Sequence, residues 1–209
     1  MNKQEIIQRI LIVFTLTLAV ACIGIYMGKF IPQQWMLPLL IIEIIMLIAA
    51  VLLRRWGRIG YIFLFSFVII SGITMFPAIY YYLSEIGAIV VLFVFLLTLM
   101  IFTILGIVGW VLEKDLSFMG STLFIILLVL IAFSIFNWFV PQSDTVLVIV
   151  ACVSAGLFSV YIVYDFNQIK HRALTAKDVP SAVLSLYLDF VNLFLDLLRI
   201  VAYVFKRRG

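Results

Sequence analysis

Ser181 to Phe205 reads SAVLSLYLDFVNLFLDLLRIVAYVF, an apolar run with two aspartates inside it. Placed on a helix at about 100° per residue, Ser185, Asp189, Asn192, Asp196, Arg199 and Tyr203 fall within about 80° of arc. A polar stripe therefore runs along an otherwise apolar rod. An ionised carboxylate near the centre of a lipid-facing helix costs about 2.5–3.5 kcal/mol, so the stripe is expected to face protein, water or an ion. The segment reads as an interior helix with the others packed around it.

The rest of the chain agrees with a membrane setting. Its 209 residues are 67% hydrophobic and 11% charged, with a mean hydropathy of +1.31. A soluble domain of this length must cover itself with polar groups and cannot hide so much apolar surface. The net charge of +4 sits in short loops and forms no basic patch interleaved with aromatics, so nucleic acid is not an expected partner. Cys22 and Cys152 lie in apolar runs without CxxC or histidine spacing and read as small buried hydrophobes. Ala19 to Cys22 resembles a lipoprotein cleavage box. The leucine stands one place too early, however, and the chain stays apolar past the cysteine, so the first span reads as retained.

Seven apolar segments are each near the ~20 residues that cross a bilayer core. They run from Ile6 to Met27, Trp35 to Leu53, Ile59 to Leu83, Ile86 to Leu112, Phe118 to Val140, Val146 to Asn167 and Val183 to Phe205. The weakest break is the third, marked by Glu85 and one glycine. The expectation is a single all-α domain over residues 1–209 with no extramembrane domain. With the N-terminus in the cytoplasm, that side collects Lys3, Arg9, Arg54, Arg55, Arg58, Lys114, Lys170, Arg172 and Lys177, against Lys29 opposite. The basic Lys206, Arg207 and Arg208 then fall outside, so the last span either inserts against its charge or stops short. A multi-pass protein of the plasma membrane is expected. Gly106 with Gly109, and Ser154, Ala155, Gly156 and Ser159, read as small-residue packing surfaces. His171 reads as solvated between Lys170 and Arg172.

This topology brings Arg54, at the end of the second span, to the cytoplasmic level of Asp165 and Asp189. Asp189 is expected about six residues, or ~9 Å, into the seventh span. Asp165 is expected to be shallower, unless Asn167 to Lys170 continue the sixth helix.

Tyr164, Asp165, Phe166, Asn167, Gln168, Ile169, followed by Leu186 to Phe194 (LYLDFVNLF), resembles the paired signature of the transmembrane Bax inhibitor motif family, and most closely its bacterial YetJ-type branch. Ser71 to Thr74 before Pro77, Lys114 to Phe118, and Arg54 to Tyr61 extend the likeness over nearly the whole chain. The resemblance implies seven transmembrane helices, six wrapping a central C-terminal helix, and a pH-sensitive calcium leak with no cofactor. It also implies that Asp165 and Asp189 form the proton-sensing pair, with Arg54 as the alternative partner of one of them. The basic tail departs from the acidic end expected of the family.

The chemistry suits those residues. Two carboxylates brought together away from water cannot both ionise cheaply, so they share a proton and titrate as a pair. A held proton ties two helices together. Its loss sets like charges against each other and favours a charge-paired arginine, which gives the two discrete packings a gate requires. Calcium, a hard cation that takes several oxygens, is the expected transported ion, with Asp165 and Asp189 as candidate ligands. Glu43, Asn192 and Asp196 are candidate ion-pathway residues. Such sparse carboxylates suit transit more than storage.

No enzymatic activity is expected. The two aspartates are similar to those of presenilin-like intramembrane proteases, but the second would need a Gly-x-Gly-Asp turn and here follows Leu186, Tyr187 and Leu188. A calcium/proton exchanger is the main alternative. The partners expected are therefore the lipid bilayer, calcium ions and protons, and nothing in the residues names a protein partner.

Overall fold

The computed structural model describes residues 2–54 and 59–207, without the side chains of residues 51–54 and 138. Seven long helices follow in order: α1 Lys3–Gly28, α2 Met36–Arg54, α3 Tyr61–Ile86, α4 Ala88–Val111, α5 Gly120–Phe139, α6 Asp144–His171 and α7 Val179–Lys206. Short 3-10 turns, Gln33–Trp35 and Ser117–Met119, lead into α2 and α5. There is no strand among the described residues.

Local chemistry sets the ends. Asn2 caps α1 by accepting from the Gln4 amide at 3.0 Å, while Glu5 accepts the Asn2 amide at 3.2 Å, closing a capping box. Ser143 caps α6 in one direction only, its hydroxyl accepting from the Val146 amide at 3.4 Å. The thin break after α3 is made by Gly87, whose φ of 82° turns the chain where an L side chain would be strained. Among the described residues six helices, α1 to α6, are long and apolar enough to cross a membrane. The seventh, α7, carries the polar stripe and is the most amphipathic. Its Val179, Val183, Leu186, Tyr187 and Leu198 are fully buried, and of the stripe only Arg199 is exposed.

The two helix ends that run furthest past the expected spans are the end of α6 and the start of α7, the helices that carry the aspartates. The polar residues Asn167 to Lys170 remain helical, so Asp165 lies six residues, or ~9 Å, inside the end of α6. α7 begins at Val179, because Pro180 is tolerated in a first turn whose N–H groups have no helical partner. Asp189 is thus ten residues, or ~15 Å, into α7 rather than six.

The chain forms two compact units, Met1–Tyr81 with Ala173–Tyr187, and Tyr82–Arg172 with Leu188–Gly209. In the first, α1 and α3 meet backbone to backbone. A Cβ on Gly24 would stand 2.7 Å from the Ile69 carbonyl oxygen, and one on Gly72 would stand 2.5 Å from that of Ala21. Gly24 and Gly28 form a GxxxG pair in α1, the spacing that lets membrane helices approach closely. In the second unit, α4 meets α6 in the same way: a Cβ on Gly109 would strike the Val163 carbonyl, and one on Gly106 the Phe166 ring.

Three expectations need correction. Nothing lies within 4 Å of the Cβ position of Gly156, so that glycine is no packing surface. Cys22 and Cys152 are exposed. They sit on outer faces of α1 and α6, where lipid solvates a small apolar side chain as well as a core does. His171 is exposed, as expected of a solvated side chain, but it ends α6 rather than lying in the loop after it, with Nε2 3.4 Å from the Leu112 carbonyl oxygen.

Candidate functional site

Asp165 and Asp189 both belong to the second unit, on α6 and α7. They are 8% and 5% exposed, and each is engaged in a polar or electrostatic interaction. Their neighbours along the chain fix where they lie. Phe166 and Phe190, the residues just after them, both pack edge-on against the same ring, Phe102 of α4, with centroids 5.6 Å away in each case. Phe95, two turns earlier on α4, holds Phe190 at 5.7 Å and Phe194 at 5.6 Å. Such edge-to-face pairs prefer one geometry. A single ring of α4 therefore pins α6 and α7 at the level of the two aspartates.

Tyr164, just before Asp165, packs with Leu123 of α5 and stands over Gly120, where a Cβ would meet its hydroxyl at 2.6 Å. Val163 and Asn167 also engage α4 and the loop after it.

The far end of α7 is anchored as well. Lys206 Nζ donates to Asp144 Oδ2 at 2.9 Å, and the Thr145 and Tyr203 hydroxyls are 3.0 Å apart. α7 thus runs antiparallel to α6 as far as the first residue of α6. The basic tail leaves at the end of α6 opposite Lys170. The ion pair itself is more than half exposed and adds little stability.

The other candidate residues are placed as follows. Asn192 donates from Nδ2 to the Leu188 carbonyl at 2.7 Å, within its own helix. Asp196, two turns beyond Asp189, has Ser154 of α6 and Arg199 as polar neighbours. Glu43 is in the first unit, its Oε2 2.5 Å from Thr74 Oγ1 of α3. Arg54 ends α2, but its side chain, like Arg55 to Arg58, lies outside the described residues. Among the described residues no three His, Cys, Asp or Glu side chains gather into a metal-binding group.

One part of the site was not anticipated. Asn167, fully buried, closes the α4–α5 loop onto α6: Oδ1 accepts the Leu116 amide at 2.9 Å, and Nδ2 donates to the Lys114 carbonyl at 3.0 Å. Gln168 Nε2 donates to Asp115 Oδ1 at 3.1 Å, and Lys170 Nζ donates to the Leu112 carbonyl at 3.0 Å. The last carbonyls of a helix lack internal partners, and α6 supplies them to α4. The sequence signal was an amide pair, Asn167 and Gln168, ending an apolar helix. Asn167→Ala leaves the Leu116 N–H and Lys114 carbonyl unmatched, and is expected to lower stability by about 1–3 kcal/mol, read by thermal unfolding in detergent.

The Ser117 amide, then Gln168, with His171 behind them, hold the Asp115 carboxyl below its ordinary range. A carboxylate with a depressed folded value contributes to the latch above its unfolded value and loses that contribution as pH falls through the depressed one. The Ser117 amide resonance should therefore titrate below the usual aspartate range, and Asp115→Asn should abolish that titration.

Helices of spanning length, with carboxylates buried in the last two, define a polytopic α-helical membrane protein. The family model described as Inhibitor of apoptosis-promoting Bax1 matches residues 3–206, and the chain belongs to this Bax inhibitor family. It is 35% identical over 196 residues to an uncharacterised protein of Campylobacter jejuni, covering 90% of this chain and 84% of that one. It is 30% identical over 191 residues to an uncharacterised protein of Helicobacter pylori strain J99, covering 90% and 82%. It is also 32% identical over 142 residues to Bax inhibitor 1 of Schizosaccharomyces pombe, covering 68% and 52%.

Proposed function

We propose that this protein is a pH-sensitive calcium leak of the plasma membrane, with its N-terminus in the cytoplasm, gated by a proton shared between Asp165 and Asp189. The observation that supports it is the burial of both carboxyls in one unit, on two helices clamped by the same Phe102 ring. With the proton held, one carboxyl donates to the other and α6 and α7 stay joined. With it lost, two buried negative charges repel and the helices repack. Arg54 is the alternative partner by family resemblance, on sequence alone. Asp196 and Asn192 in the second unit and Glu43 in the first are the pathway candidates. Spread in this way, they suit an ion in transit, since tight calcium sites gather six to eight oxygens.

The test is calcium entry into proteoliposomes loaded with a calcium dye, read from mildly acidic to mildly alkaline pH. A leak passes calcium down its own gradient without a proton gradient, at a rate set by pH. Flux that requires an opposing proton gradient identifies an exchanger instead.

A further inference from the structure

α2 turns a mostly apolar face outward, with Ile42, Ile44 and Ile45 all exposed, while the half-buried Glu43 meets Thr74 of α3. It lies about 10 Å along the helix from Met36 and about 16 Å from Arg54, deep within the spanning segment. An ionised carboxylate there is expensive.

The hydrogen bonds around Thr74 bear on its protonation. Thr74 Oγ1 lies 2.5 Å from Glu43 Oε2 and 2.9 Å from the Ser71 carbonyl oxygen of its own helix. A hydroxyl has a single hydrogen to donate, and a backbone carbonyl can only accept. If Thr74 gives its hydrogen to Ser71, the contact with Glu43 becomes a hydrogen bond only when Glu43 brings the hydrogen. An ionised Glu43 would take the Thr74 hydrogen for itself and leave the Ser71 carbonyl without it. Among the described residues, the groups facing Glu43 from the packed helices are Ser71 and Thr74 of α3 and the Tyr187 phenol of α7, with the Cys22 thiol of α1 within electrostatic range of that phenol. None carries a charge at neutral pH, so an ionised Glu43 would find hydroxyl donors there but no cation to offset its charge.

We infer that Glu43 and Thr74 form a second proton-binding site, in the first unit: neutral Glu43 donates to Thr74 Oγ1, and Thr74 donates to the Ser71 carbonyl. Release of the proton to water reverses the first bond and breaks the second. At rest Glu43 then holds a proton rather than a metal ion. The site is independent of the Asp165 and Asp189 pair and does not rest on the calcium reading.

Infrared spectroscopy of the full-length protein in lipid vesicles tests this, with carbon-13 in the side-chain carboxyl of glutamate. A protonated-carboxyl stretching band that shifts on glutamate labelling is expected at neutral pH. It should vanish in Glu43→Gln, move in Thr74→Val and persist in Asp165→Asn. Glu43→Gln should keep the wild-type melting temperature, because the glutamine amide donates to Thr74 as the neutral acid does. Absence of a glutamate-labelled band at neutral pH, or its survival in Glu43→Gln, overturns the inference. If Glu43→Gln does not fold, Thr74→Val decides: a labelled band that stays in place there overturns it as well.

Discussion

Asp165→Asn and Asp189→Asn are each expected to abolish the pH dependence of calcium flux while leaving a folded protein. The amide keeps the size and shape of the acid and can still donate a hydrogen bond to the remaining carboxyl. It cannot lose that hydrogen within the physiological range, so the paired arrangement of α6 and α7 becomes permanent or is replaced by a single fixed alternative. Either way the rate stops following pH. In wild type, moving a two-state gate from almost closed to almost open takes about 5.5 kcal/mol of differential stabilisation, and a buried charge repulsion is large enough to supply a substantial part of it. The measurement is dye-reported flux across the same pH series for wild type and both variants. Profiles that superimpose would remove the pair from the mechanism.

The second large effect is on folding. Gly109→Leu should prevent α4 from seating on α6, because even a Cβ at that position meets the Val163 carbonyl, which is backbone and cannot swing aside. Overpacking costs about 1–3 kcal/mol where side chains can yield, and more is expected where two backbones touch. Gly72→Leu should do the same to the α1 and α3 crossing, against the Ala21 carbonyl. Gly156→Leu is the control: its Cβ enters open space, and a helical glycine replaced by a better helix former should leave the melting temperature unchanged or raise it. Monodispersity in detergent and thermal unfolding read all three. Loss of the folded protein in Gly156→Leu but not in Gly109→Leu would contradict the packing described.

The helices were legible because membrane spans announce themselves as uninterrupted apolar runs, and most expected ends fall within a few residues of the observed ones. What was least legible is which face of each run is covered. In lipid the outside of a helix is as apolar as its inside, so Cys22, Cys152 and Gly156 look in sequence like buried residues. The exception is α7, where Asp189, Asn192 and Asp196 mark a face that lipid would not tolerate, and there the sequence indicated burial. The end of α6 was left open because Asn167 and Gln168 are polar, and the start of α7 was set too late because Pro180 reads as a break. In the fold the first two are helical residues whose amides serve the neighbouring loop, and the third lies in a first turn. The GxxxG of Gly24 and Gly28 was legible but passed over, while Gly106 and Gly109 were found.

The central claim joins a proton on an aspartate pair to calcium movement, and both can be followed on one preparation. With carbon-13 in the aspartate carboxyls, infrared titration of proteoliposomes reports when the shared proton leaves, and the entrapped dye reports flux at each pH. The account predicts that the two midpoints coincide in wild type and that both transitions disappear in Asp189→Asn. An aspartate band that titrates far from the flux transition, or persists unchanged in Asp189→Asn, would contradict it.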